Sequence, residues 1–477
     1  MMCPGSVRPW RVTSRSNGAS IGPVLSVCDD STPDALPDAP SWHPDMPSPT
    51  VGRNLWIQRL QQMQTAFTAT GAAIFQTLML GWVLCPGRKT ITGIYMMADP
   101  GHERAHDAFH RFVRCGAWSA EVLWQTLAQA VVASLAPNGE MEIDLDDTLL
   151  HKSGQRVDGA GWWRDAVRST GTRTVVALGL NLLVVTLRVR PPWGGEPLGL
   201  PIYVCLHRKK NTKLSDLAVR ALQTVAAWFP ERRIRCCADG AYAAPLVPQG
   251  TDRITVISRM RRDAALYELA PKATGKRGRP RRKGARLGTP QQIGAKAKRW
   301  QAVITDQRGR PKKRLVYSRI VLWYAVSTVP VRLVISRDPD GVEHDDYWVC
   351  SDVNLPAQEV VSAYTGRWSI EDTFRATKQH LGIQHPQSWA TAAPERAASL
   401  GFILYSLVWW WFLGLPDRRH HVTAPPWYAN KCNPSFQDAL AALRRDLWRN
   451  RIIEDSGNEP ISAKMIDAML NALARAA

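Results

Sequence analysis

The order of strands and helices along residues 140–260 limits the fold more than any other feature of this chain. EMEIDLDD alternates apolar and acidic residues, RTVVALGLNLLVVTLRV is long and apolar, and LGLPIYVCLH follows a turn rich in Pro and Gly, so three strands are expected in succession. A helical pattern at 214–229 (LSDLAVRALQTVAAWF) then leads into the strand RIRCCAD, a short helix and the strand ITVIS. Strands in a run, followed by helix and strand in alternation, predict an α/β fold: a mixed sheet flanked by helices. The composition allows it, since 45% of residues are apolar and 21% charged, which excludes wholesale disorder.

The flanking segments divide by pattern. Residues 1–52 are rich in Pro, Ser and Asp without periodicity and read as a disordered leader. Residues 53–137 turn helical, with Phe109, Phe112, Trp118, Leu123, Leu127 and Val131 on a 3.6-residue stripe, and are expected to form a separate helical, DNA-binding domain. The catalytic core is expected over 138–259 and 352–415, interrupted by a basic, β-rich insertion at 260–351 and followed by a helical region at 416–477. Ala397–Leu415 is uncharged and long enough to span a bilayer. It directly follows a charged amphipathic helix, however, and Tyr, Ser and Gly interrupt it, so a buried core helix is expected and no membrane partner. The nine cysteines are scattered without a C-x-x-C pair, which argues against a zinc site and for a reduced, cytoplasmic compartment.

Charge narrows the partner. Sixty-one Lys and Arg against 41 Asp and Glu leave a net +20, which suits a polyanion. Sixteen of those basic residues fall between Lys272 and Arg314, against one acid, Asp306. That concentration points to double-stranded DNA. Within it Arg-Gly-Arg-Pro occurs twice, at Arg277–Pro280 and Arg308–Pro311. The repeat resembles the AT-hook core, in which extended arginines enter the minor groove. Arg277, Arg279, Arg308 and Arg310 are therefore DNA-binding candidates, with plain phosphate binding and a solvated loop as the other readings.

The chemistry is sought in carboxylates. In QEVVSAYTGRWSIEDTFRATKQHLGI, read as one helix, Tyr364, Arg367, Glu371 and Lys378 share a polar stripe. An ordinary amphipathic helix with an i,i+4 pair looks the same. Asp146 is expected to end a strand on its polar face, and Asp239 ends RIRCCAD before Gly240. Both sites lie where open α/β sheets place their ligands, although either aspartate also suits a cap or turn. Three carboxylates brought together need a cation, and hard oxygen donors suit two Mg²⁺ ions, with Mn²⁺ as a substitute. Such a pair serves phosphodiester chemistry.

These residues carry a resemblance. YTGRWSIEDTFRATK matches the signature Y-(2)-R-(3)-E-(6)-K of bacterial insertion-sequence DDE transposases of the cut-and-paste branch, at Tyr364, Arg367, Glu371 and Lys378. Asp146-Asp147-Thr148 resembles the strand-ending pattern of the family's first aspartate. A one-residue shift would select Asp147, whereas strand parity favours Asp146. Ala238-Asp239-Gly240-Ala241-Tyr242 resembles the turn of the second. The resemblance implies an RNase H-like core, catalytic and metal-binding roles for Asp146, Asp239 and Glu371, and DNA contacts from Tyr364, Arg367 and Lys378. It implies cleavage at the ends of a mobile element, strand transfer of the 3′-hydroxyl into target DNA, and a homodimeric synaptic complex. A nuclease or resolvase without strand transfer, or an inactive DNA-binding derivative, would share much of this pattern. Trp300 and Trp323 are candidates for stacking on a flipped base, with burial the other reading. Lys152 is read either as a DNA contact or as a flexible loop residue.

Overall fold

The computed structural model describes residues 49–154, 156–271, 280–416, 422, 424, 426–456 and 462–474. Of the expected DNA contacts, Arg277 and Arg279 lie outside the described residues, as does nearly all of the leader. The segment Pro47–Ala477 forms one compact unit.

The chain opens with five helices: α1 (Pro49–Gln62), α2 (Ala69–Leu84), α3 (Ile91–Ala98), α4 (His106–Cys115) and α5 (Ala120–Leu135). Thr68, Thr90 and Ser119 cap α2, α3 and α5 by accepting from backbone amides in their first turns, satisfying donors that a helix start leaves open. There follow β1 (Met141–His151), β2 (Gly161–Arg164), β3 (Val176–Val189), β4 (Leu198–Leu206), α6 (Leu214–Trp228), β5 (Ile234–Ala238), α7 (Ala243–Leu246) and β6 (Ile254–Arg259). The basic stretch holds a small ladder, β7 (Leu266–Tyr267) with β8 (Arg286–Gly288), then α8 (Pro290–Lys296), β9 (Gln301–Gln307), β10 (Arg310–Val321), β11 (Val331–Arg337) and β12 (Asp346–Cys350). The last helices are α9 (Ala357–Gly366), α10 (Ser369–Gln379), α11 (Ala393–Leu413), α12 (Phe436–Ser456) and α13 (Ala463–Ala474).

One ten-stranded sheet runs β2-β3-β1-β5-β6-β12-β11-β10-β9, with β4 paired to β3. Strands β1, β3 and β4 are antiparallel neighbours, whereas β1, β5 and β6 run parallel. The mixed sheet flanked by helices is thus present. The segment expected as an insertion is not set apart from it, because β12 hydrogen-bonds to β6 and carries the sheet on through β11, β10 and β9. The five helices expected as a separate amino-terminal domain pack in the same compact unit, with α1, α4 and α5 against α11 and with α1 and α2 against α12.

Helix α11 is the apolar stretch that could cross a bilayer by length, yet 94% of its most apolar window is enclosed by protein. The Ser406 hydroxyl donates to the Pro201 carbonyl and the Trp411 indole to that of Gly52, which ties the helix into the fold at two polar side chains.

Register decides which side chains share a face. Paired residues point the same way, so Asp144 and Asp146 on β1 share a face with Cys237 on β5, Arg259 on β6 and Trp348 on β12. Helix α9 covers this face through Val360, Val361 and Ala363, packed on Cys237, Ile257, Val316, Val334, Trp348 and Cys350. Helix α10 lies beside it against β4 and β1. Its close approach to β4 needs Gly199, where a Cβ would meet Ser369 at 3.1 Å.

Candidate active site

The segment expected to be one helix is two. Arg367 and Trp368 keep helical angles, but their amides bond three residues back, to Tyr364 (3.1 Å) and Thr365 (3.4 Å). The cause lies far away in sequence. Arg188 of β3, about 2% exposed, donates to the Ala363 carbonyl at 2.8 Å, the acceptor that the Arg367 amide would use in a continuous helix. A side chain inserted into the i→i−4 ladder bends a helix. Only glycine fits opposite it: a Cβ on Gly366 would lie 2.7 Å from Arg188 Nη1. Arg188 is itself held by Asp144, through Nε at 3.1 Å and a second, closer bond from Nη2, and Ser369 at the start of α10 donates to the same carboxylate.

The break aims Arg367 and Glu371 at β1. Arg367 donates from Nη1 to Asp146 Oδ2 at 2.8 Å and from Nη2 to Glu371 Oε1 at 2.9 Å. Its guanidinium also lies 5.6 Å from the centre of the Tyr364 ring. Burial alone would lower the pKa of Arg367, but Tyr364, Asp146 and Glu371 together carry it above the ordinary value. Asp146 is pushed up to about 7, chiefly by burial; Arg367 opposes the rise, while Asp147 and Asp239 add to it. Asp239 follows β5 and caps the turn at 240–242, accepting from the Ala241 amide at 3.3 Å.

Asp146 does not end its strand. β1 continues five residues further, paired with β3 to His151↔Gly179. Its parallel partner β5 stops at Leu145↔Ala238, so Asp146 still sits at the carboxyl end of the parallel pair. Asp147 points to the other side and accepts a hydrogen bond from the Tyr242 hydroxyl, which separates the two candidates for the first aspartate.

Lys378 is set apart from the other three signature residues. Burial lowers its pKa, and the charge that acts on it is that of Asp165, at the end of β2. Lys152 is neither mobile nor free: its ammonium donates to the Gln384 and Pro386 carbonyls at 3.0 and 2.9 Å, and burial lowers its pKa to about 8. Trp323 is buried. Trp300 is half-buried, donates to the Ala297 carbonyl and lies under the Arg337 guanidinium.

Among the described residues, no group of three or more His, Cys, Asp or Glu side chains stands close enough to hold a metal ion. The three carboxylates were expected to converge. Instead the Arg367 guanidinium stands between Asp146 and Glu371 and supplies the positive charge they need. The donor set itself, hard carboxylate oxygens near one end of β1, suits a divalent cation of the Mg²⁺ type.

A family model described as DDE superfamily endonuclease matches residues 62–313, more than half of the chain. This chain belongs to the DDE superfamily endonucleases. The matched stretch includes Asp146 and Asp239 and ends before Glu371. Among curated proteins none matches. Among solved structures, a piggyBac transposase synaptic complex with hairpin DNA is similar at 11% identity and a TM-score of 0.38, over 90% of this chain and 86% of that one; so distant a likeness supports nothing further.

Beside Asp239 this DDE endonuclease has an open pocket of about 540 Å³ lined by Arg259, Arg308, Arg310, Tyr364, Arg367 and Trp368, among others. Arg308 lies in the tight hairpin turn between β9 and β10, and Arg310 begins β10. Arg308 and Gly309 have φ of +56° and +76°, as a two-residue turn requires, and a Cβ on Gly309 would strike the Gly195 carbonyl at 2.0 Å. This second Arg-Gly-Arg-Pro copy is therefore a folded turn and not the extended arm of an AT-hook. The Arg308 guanidinium lies 3.7 Å from the centre of the Trp368 ring. Sequence reasoning missed Trp368, Arg259 and Arg188. For Trp368 a signal existed in its place next to Arg367; for Arg188, on a long apolar strand, the one hint was a charge where no charge belongs.

Proposed function

We propose that this DDE endonuclease is a transposase that cleaves double-stranded DNA at the ends of a mobile element and transfers the freed 3′-hydroxyl into target DNA. The observation that carries this reading is Arg367 held between Asp146 and Glu371, at the carboxyl end of a parallel strand pair and beside Asp239. The strand order β4-β3-β1-β5-β6 supports an RNase H-like core. Asp146, Asp239 and Glu371 would hold Mg²⁺, which when bound activates an attacking oxygen and stabilises a leaving one. Arg367 can leave its carboxylates for a phosphate, to which its planar fork is matched. Tyr364, Arg308, Arg310 and Trp368 line the approach to Asp239 and would position the strand, while Lys378 would contact DNA further along α10. Synapsis of two element ends calls for a homodimer, and the place of action is the cytoplasm.

The decisive experiment is Glu371→Gln. The variant should bind duplex DNA as the wild type does and lose Mg²⁺-dependent nicking of the element end by about a thousand-fold or more. Cleavage retained in Glu371→Gln would overturn the assignment. A purified wild type that nicks but forms no strand-transfer products would be an endonuclease of the same chemistry without transposition.

A further inference from the structure

Outside the stretch from Lys272 to Arg314 the chain averages close to neutral, and that average conceals a second basic surface. Residues 152–173 and 207–213 carry nine Lys or Arg against two acids, Asp158 and Asp165. Strand pairing and side-chain contacts bring the two stretches together at the β2 edge of the sheet. Trp163 of β2 packs against His207, and the Lys209 ammonium lies 5.3 Å from its ring centre. Both acids are already engaged, Asp158 by Arg208 and Asp165 by His151. Arg156, Arg164, Arg173, Lys209 and Lys210 are exposed and have no carboxylate partner among the described residues. Like charges held together without counter-charges raise the energy of the free protein and are relieved by an anion.

Placement selects the anion. By register, Trp162 faces the same way as Leu178, Leu182, Val184 and Asp146, and Arg164 lies two residues along on that face. Two strand spacings of about 4.8 Å across the sheet, and six residues or roughly 20 Å along β3, separate Trp162 from Asp146, within reach of one bound duplex. Asp165 next to Arg164 is the carboxylate that acts on Lys378, so this edge adjoins the end of the glutamate helix. Trp162 and Trp389, 62% and 61% exposed, add flat apolar surface beside the cations. Charge on an edge strand also deters strand pairing between copies, but that purpose does not call for a cluster reaching into two further loops.

We infer that the β2 edge is a second docking surface for duplex DNA, engaging the phosphate backbone next to the cleaved position on the side opposite the β9–β10 turn. This rests on the reading of the protein as a DNA-cleaving enzyme. The test is the triple variant Arg164→Ala/Arg173→Ala/Lys210→Ala, compared with Arg164→Lys/Arg173→Lys/Lys210→Arg, both checked for unchanged thermal unfolding. Binding to a 40-base-pair duplex is measured from 50 to 200 mM salt. Loss of three phosphate contacts should flatten the slope of log K against log salt by about 2.7 and weaken binding at 150 mM about ten-fold or more, while the charge-preserving triple behaves as wild type. An unchanged slope in the alanine triple overturns the inference. So does a change confined to self-association in sedimentation, which would make the occupant a second copy. Failure of the enzymatic reading is seen separately, as a wild type that binds DNA and never nicks it.

Discussion

Asp144 and Asp146 stand two residues apart on one face of β1, and each takes an arginine, yet the two pairs do different work. The Arg188–Asp144 pair is sealed, with side chains 2% and 0% exposed, and it ties β1, β3, α9 and α10 together. Arg367 and Asp146 are 10% and 20% exposed, with Glu371 open to 34%. Depth decides the role. A buried charge cannot lose its partner without a large desolvation penalty, so the inner pair is a fixed strut that sets the break in the helix. The outer pair can exchange its partner for solvent, a phosphate or a cation, and is therefore the one suited to chemistry.

The difference can be broken in three ways. Asp144→Asn should cost about 3–5 kcal/mol in denaturant unfolding, because it removes the sealed carboxylate that Arg188 bonds directly and leaves it only the partly exposed Glu142, at 3.5 Å. A cost under about 1 kcal/mol would mean the strut is no strut. Gly366→Ala tests the same contact from the other side. In an unobstructed helix alanine would stabilise by about 0.5–1 kcal/mol. Against Arg188 it should instead destabilise by about 1–3 kcal/mol and reduce nicking at temperatures where the variant is fully folded, since Arg367 and Glu371 would be re-aimed.

The smallest effect concerns Asp146 and is read in metal-free protein. Its folded pKa is raised to about 7 by burial, above the value of about 3.9 expected when unfolded. The folded state therefore binds the proton more tightly, and the associated stability is present below pH 4 and lost as pH rises through 7. Asp146→Asn should match wild type in stability near pH 4 and exceed it by about 1–2 kcal/mol at pH 8. A pH-independent difference between the two would show that Asp146 is not held in the buried, partly protonated state described.

Much of this was legible in the sequence because periodicity and punctuation are local. The succession β1, β3, β4, α6, β5, β6 follows from apolar runs and turn residues, and strand parity puts Asp146 and Asp147 on opposite faces, as the pairing with β3 does. Strand length was misjudged because the alternation breaks at Asp146-Asp147-Thr148, whereas backbone pairing with β3 carries the strand on to His151. The helix break was invisible for a different reason. Its agent, Arg188, is 175 residues from Ala363, and a lone glycine inside a helical pattern is ordinary. For the Arg308–Pro311 copy of Arg-Gly-Arg-Pro the sequence left an extended arm and a turn both open, because the same four residues suit either, and the neighbouring Gly195 backbone selects the turn. The segment 260–351 looked separable because charge composition changes abruptly there, whereas backbone hydrogen bonding, which composition does not report, joins it to the core.

The unbroken ladder from β2 to β9 has a geometric consequence for how nucleic acid can lie on the molecule. Each strand is rotated by roughly 20–25° relative to the next, so across the full sheet the rotation accumulates to about half a turn. The face that carries Asp146 therefore looks in nearly opposite directions at the two basic edges of this hydrogen-bonded sheet. A straight duplex laid on that face at one edge does not reach the same face at the other. Contact with both demands that DNA curve around the sheet, or that the two edges serve separate segments.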